Sequence, residues 1–131
     1  MSPQISYKFG IVPTTEQVIE LYNDAGLPRP THDRQRIMTM FENSDLIVTA
    51  WHRSKLVGVS RTITDWVWCS YLAVSPDYER SGIGKRLIEL TREKTGEQSM
   101  LLLLSVPTAT HYYPRVGFTK EDRAFSIDRK K

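Results

Sequence analysis

A single cysteine, Cys69, leaves this chain no internal disulfide and no cysteine-built zinc site. No apolar run approaches the roughly 20 residues that a membrane-crossing helix needs. The N-terminus, MSPQISYKFG, lacks the apolar stretch and the small-residue cleavage site of a signal peptide. Internal repeats, low-complexity stretches and linkers are also absent. A dense basic stripe interleaved with aromatics is missing too, although the net charge is +3 and the isoelectric point about 9.1. These absences argue against a secreted, membrane or nucleic-acid-binding protein and point to the cytoplasm. At 131 residues the chain is expected to form one domain, spanning 1–131.

What is present is an alternation of strand and helix signals. Ile5 to Phe9 alternates and predicts a first strand. Thr14 and Gln17 match a capping box, ahead of an apolar face of Val18, Ile19, Tyr22 and Ala25. Gly26 and Pro28 stop that helix. A second helix is predicted from about Asp33 to Asn43, with Ile37, Met38 and Phe41 inward. Leu46 to Trp51 and Leu56 to Ile63 read as a hairpin across His52-Arg53-Ser54-Lys55. Trp66 to Val74 is expected to be a central strand, because both of its faces are largely apolar, with Trp66 and Trp68 in the core. Cys69, inside that strand, reads as a buried, inert thiol.

A helix from Gly84 to about Lys94 should bury Leu87, Ile88 and Thr91. Met100 to Val106 is a continuous apolar run, as expected of a strand covered on both faces. Pro107 opens a short helix, and Ala124 to Ile127 is predicted as a last edge strand. A strand–helix–strand unit across Trp66–Val106 implies a parallel pair within a mostly antiparallel sheet. The fold class is therefore α/β, a mixed, mostly antiparallel central sheet with helices on both faces.

The densest chemical signal is Leu72-Ala73-Val74-Ser75-Pro76-Asp77-Tyr78-Glu79-Arg80-Ser81-Gly82-Ile83-Gly84-Lys85. A buried strand ends in a turn, and two glycines stand where a helix begins. Glycine lets backbone N–H groups approach a ligand closely, and a helix start offers free donors and partial positive charge. Arg80 and Lys85 flank this cradle for a diphosphate. The spacing fits neither a Walker loop nor a dinucleotide fingerprint, which needs a third glycine.

This segment resembles the acetyl-CoA motif of the GNAT N-acetyltransferases, and the element order resembles that fold over essentially the whole chain. Ala109-Thr110-His111-Tyr112-Tyr113-Pro114-Arg115-Val116-Gly117-Phe118 is similar to the family's A-x-x-x-Y-x-x-x-G-F segment. The resemblance implies that acetyl-CoA is the cosubstrate. The backbone of Leu72, Ala73 and Val74 would then pair with the pantetheine arm. The amides of Arg80, Ser81, Gly82, Ile83, Gly84 and Lys85 would hold the pyrophosphate. Tyr113 would protonate the leaving thiolate, with Tyr112 as a packing residue. Two positions depart from the family: Glu79 replaces its Gln or Arg, and Val106 stands near its asparagine. Glu79 is expected to turn outward, leaving Arg80 to supply the positive charge.

The implied reaction is direct attack by a primary amine on the thioester in a ternary complex. An alkylamine with a pKa of about 10.4 is mostly protonated at pH 7, so a base or water must take its proton. The sequence names no clear base. Asp65 lies nearest but reads first as a turn residue, and His32, His52 and His111 read as solvated. The acceptor is a small-molecule or a protein amine, and a homodimer is left open. The rival readings are a non-catalytic acetyl-CoA sensor or scaffold and a nucleic-acid-binding domain, the latter favoured only by the isoelectric point.

Overall fold

The computed structural model describes residues 4–76 and 82–130. Five strands form one sheet in the order β1-β2-β3-β4-β5. They are β1 (Ser6–Phe9), β2 (Leu46–His52), β3 (Lys55–Thr64), β4 (Cys69–Pro76) and β5 (Met100–Leu102). The first three pairings are antiparallel, and β4 pairs with β5 in parallel. This is the mixed sheet that the sequence predicts.

Helices α1 (Thr15–Asp24) and α2 (Arg34–Glu42) cover one face. The α1 start carries the predicted capping box: Gln17 N–H donates to Thr14 Oγ1 at 3.1 Å, and Thr14 N–H donates to Gln17 Oε1 at 2.9 Å. Val18, Leu21 and Tyr22 of α1 and Ile37 and Phe41 of α2 pack on Ile47, Trp51 and Val59. Met38, expected inward, is only half-buried.

Helix α3 (Ile83–Thr95) covers the other face, with Ile83, Leu87 and Leu90 against Val48, Ala50 and Val57. Its close seat depends on Gly58, where a Cβ would lie 2.7 Å from Ile83 Cγ2 and 3.1 Å from Leu87 Cδ1. Buried hydroxyls tie the layers further: Ser60 bonds Thr91 at 2.8 Å, and Ser70 bonds both Thr64 and Ser99 at 2.7 Å.

Five expectations are corrected. The central strand starts at Cys69 rather than Trp66, because Asp65 Oδ1 accepts from the amides of Val67, Trp68 and Cys69 at 2.9, 2.7 and 3.2 Å. That side-chain-capped turn puts Trp66 at φ 67° and leaves Trp66, Val67 and Trp68 46%, 63% and 76% exposed rather than in the core. Cys69, now at the strand's first position, is half-buried.

The run from Met100 forms strand only to Leu102, and Leu104 is 69% exposed. Among the described residues β5 pairs with β4 alone, and Met100 is 43% exposed with Leu101 to Leu103 only half-buried, so the run is not covered on both faces. Ala124 to Ile127 is not a strand. Its Phe125 and Ile127 stand wholly exposed. After β5 the chain makes a 3-10 turn (Pro107–Ala109) and the short helix α4 (Tyr112–Arg115).

Candidate active site

β4 is flanked unequally. Its pairing with β3 runs from Ser70 to Pro76. Its pairing with β5 covers only Cys69, Ser70 and Tyr71, set against Met100, Leu101 and Leu102. Past Tyr71 the β5 side of β4 has no strand partner among the described residues. The backbone of Leu72, Ala73 and Val74 therefore borders a gap where the parallel strands part, and a parallel ladder left open in this way keeps free donors and acceptors. Leu72 is buried, while Ala73 and Val74 are half-buried.

The N-terminus of α3 lies at the end of this strand. Gly82 is its N-cap at φ 78°, ψ 9°, a left-handed conformation that favours glycine, and no side chain among the described residues caps the helix. The first intrahelical donor is Arg86 N–H, to Gly82 O at 3.0 Å. The amides of Ile83, Gly84 and Lys85 thus have no partner within the helix, and the helix dipole adds partial positive charge there.

Lys85 is exposed, whereas Ile83 is fully buried and anchors the turn to the sheet. At Gly84 a Cβ would lie 2.9 Å from the Tyr112 hydroxyl and 3.4 Å from Pro76 Cγ. Two glycines thus have two uses: Gly82 supplies a backbone angle, and Gly84 admits a tyrosine tip. Arg80 and Ser81, expected to join this cradle, lie outside the described residues, as does Glu79.

α4 carries two adjacent tyrosines, and one of them, Tyr112, reaches Gly84 at the start of α3. The Tyr113 ring packs edge-on against Tyr112 at 5.3 Å and against Phe118 at 5.6 Å. Burial, chiefly, raises the Tyr113 pKa above its usual value near 10.0, and Tyr112 adds to the rise. The positive charge of Arg29, on the α1–α2 connection, opposes it. Burial raises the Tyr112 pKa as well. Both phenols therefore hold their protons at neutral pH.

A further group was not singled out by the sequence. Tyr22 is 1% exposed, and burial raises its pKa against the opposing charges of Arg61 and Arg29. The Arg29 guanidinium carbon lies 5.7 Å from the Tyr22 ring centre. Hydrophobic spacing marked Tyr22 as core, but only the strand register could bring Arg61 and Ser75 beneath it. Asp65 is no base: its three amide donors lower its pKa and occupy the carboxylate in the turn. His32 and His111 are exposed. Among the described residues no cluster of three or more His, Cys, Asp or Glu could hold a metal, and no helix is long and apolar enough to cross a membrane.

Comparison with known proteins bears on the fold. Among solved structures, a protein from meticillin-resistant Staphylococcus aureus superposes with a TM-score of 0.83 at 18% identity, covering 98% of this chain and 100% of that one. A GNAT family acetyltransferase from Streptococcus pneumoniae TIGR4 gives 0.70 at 23% identity, covering 97% and 100%. An aminoglycoside N-acetyltransferase, AAC(6')-Iy, in complex with CoA gives 0.70 at 11% identity, covering 100% and 98%. No curated protein sequence matches. The family model for the acetyltransferase (GNAT) domain matches residues 43–120, from the start of β2 past α4. The chain belongs to the GNAT acetyltransferase family.

Proposed function

We propose that the chain is one catalytic domain that transfers the acetyl group of acetyl-CoA to a primary amine, by direct attack in a ternary complex. The observation that carries this reading is the junction of the open β5 side of Leu72–Val74 with the uncapped start of α3. GNAT acetyltransferases use acetyl-CoA, and the residues here fit it. Leu72, Ala73 and Val74 offer strand-like hydrogen bonding to the amide-bearing arm. Gly82, Ile83, Gly84 and Lys85 offer backbone donors and dipole to the pyrophosphate, with Arg80 and Ser81 continuing that loop in sequence. Bound there, acetyl-CoA supplies an activated thioester carbonyl.

The chain's own part is orientation and proton control. A backbone N–H of β4 in the gap polarises the carbonyl oxygen. The C–N bond forms as the C–S bond breaks, the amine gives up its proton to water, and the departing sulfur takes one from Tyr113 Oη. A phenol with a raised pKa still carries that proton at neutral pH. Water is assigned the base role because no His or Glu stands on β4. A small-molecule acceptor is favoured by the aminoglycoside acetyltransferase among the structural neighbours, and the lone cysteine suits a reducing cytoplasm.

Thermal unfolding with acetyl-CoA, followed by thiol release across a panel of amines, tests the reading. Binding should stabilise the protein by about 2.7 kcal/mol at a hundredfold excess over Kd. Stabilisation without thiol release from any amine would favour a sensor. No shift at millimolar acetyl-CoA would overturn the reading altogether.

A further inference from the structure

The face of the sheet that α1 and α2 cover is left open at its β3–β4–β5 corner. Register and alternation put Arg61, Ile63, Tyr71 and Leu102 on that face: Arg61 is set against Ala73, Ile63 against Tyr71, and Tyr71 against Leu102. Ile63 is 49% exposed, and Met100, two residues before Leu102, is 43% exposed. This is an apolar floor outside the helical core.

Two arginines stand by Tyr22 on this same face of the sheet. Arg61 lies on β3 and Arg29 lies over Tyr22 on the α1–α2 connection, both half-buried. Among the described residues neither is paired with a carboxylate, and Arg61 Nε is buried with no hydrogen-bond partner. Two partly desolvated cations without an anion repel a cationic ligand and favour an anionic one.

Resting on the acetyltransferase reading above, we infer that the acceptor is a small amine that also bears a carboxylate and an apolar body, an apolar amino acid being the simplest case. Arg29 receives the carboxylate, Arg61 keeps the local potential positive, and Ile63, Tyr71, Met100 and Leu102 take the apolar body. An arginine fork suits a carboxylate bidentately. A polyamine or aminoglycoside would meet the same two positive charges with charges of its own and is disfavoured.

The test compares L-phenylalanine with phenethylamine, which differ by the carboxylate, and with spermidine as a polycation. Thiol release should give a kcat/KM for L-phenylalanine at least about tenfold above both, since a charged hydrogen bond is worth about that or more. Arg29→Gln should bring the L-phenylalanine and phenethylamine values within about threefold by raising KM while kcat holds, and Arg29→Lys should keep most of the preference. Equal or better turnover of phenethylamine or spermidine would overturn the inference. So would an unchanged KM in Arg29→Gln, or no thiol release from L-phenylalanine by protein that acetyl-CoA stabilises. Loss of the acetyl-CoA thermal shift itself would instead remove the reading on which the inference rests.

Discussion

At the scale of single residues, the two tyrosines of α4 are the sharpest test of the site. Tyr112 and Tyr113 are adjacent, touch each other, and both have raised pKa values. Their surroundings differ: the Tyr112 hydroxyl faces Gly84, and Tyr113 sits within the field of Arg29. If Tyr113 gives the proton, Tyr113→Phe should lower kcat by roughly 10²- to 10⁴-fold and leave acetyl-CoA binding nearly unchanged. Tyr112→Phe should leave kcat within a few-fold. A reversed pattern in steady-state rates of the two variants would move the acid to Tyr112. The motif spacing singles out Tyr113 as the candidate acid, but nothing in the sequence tells where the Tyr112 hydroxyl goes. That depends on the missing side chain at Gly84, far off in the chain.

At the scale of elements, the start of α3 rests on conformation rather than on a cap. Gly82 holds a left-handed angle with open space around it, so Gly82→Ala adds strain without a clash. It should cost about 1–2 kcal/mol of folding stability by denaturant titration. Gly84→Ala would press only on the tip of Tyr112, which can swing away, so its stability loss should be smaller. Equal losses would contradict this division of labour. Read from their spacing alone, both glycines have one role, and only the backbone angles separate them. β4 shows the complementary limit. Apolar alternation from Trp66 onward reads as strand, yet one carboxylate takes three amides and delays the strand to Cys69. Side-chain competition for backbone donors leaves no trace in a hydrophobic pattern.

At the scale of the whole molecule, sheet and helices were legible because caps, periodicity and hairpin spacing agree with one another. The chain's last third was not. Met100 to Val106 reads as doubly covered, but cover depends on what packs against each face, and here Met100 and Leu104 stay exposed and the strand ends at Leu102. One buried group links the whole fold to pH. Tyr22 belongs to the core under α1 and has a raised pKa, so the folded state keeps a proton that the unfolded chain gives up near pH 10. The folded state binds more protons there, and its stability must fall as pH rises past about 10, while nothing is lost below that. Tyr22→Phe should weaken this alkaline loss while changing stability at pH 7 by no more than about 1–2 kcal/mol. Unfolding curves of both proteins at pH 7 and at about pH 11 would show it. An identical alkaline slope would mean that Tyr22 is not the group responsible.

The parting of β4 from β5 also has a consequence in time. Amides of Leu72, Ala73 and Val74 that point toward β3 are locked in a ladder, whereas those that point toward the gap are open to solvent. Deuterium should therefore enter this one strand at two speeds, residue by residue in alternation. The fast set should slow to the pace of its neighbours only when something lies in the gap and takes up those bonds.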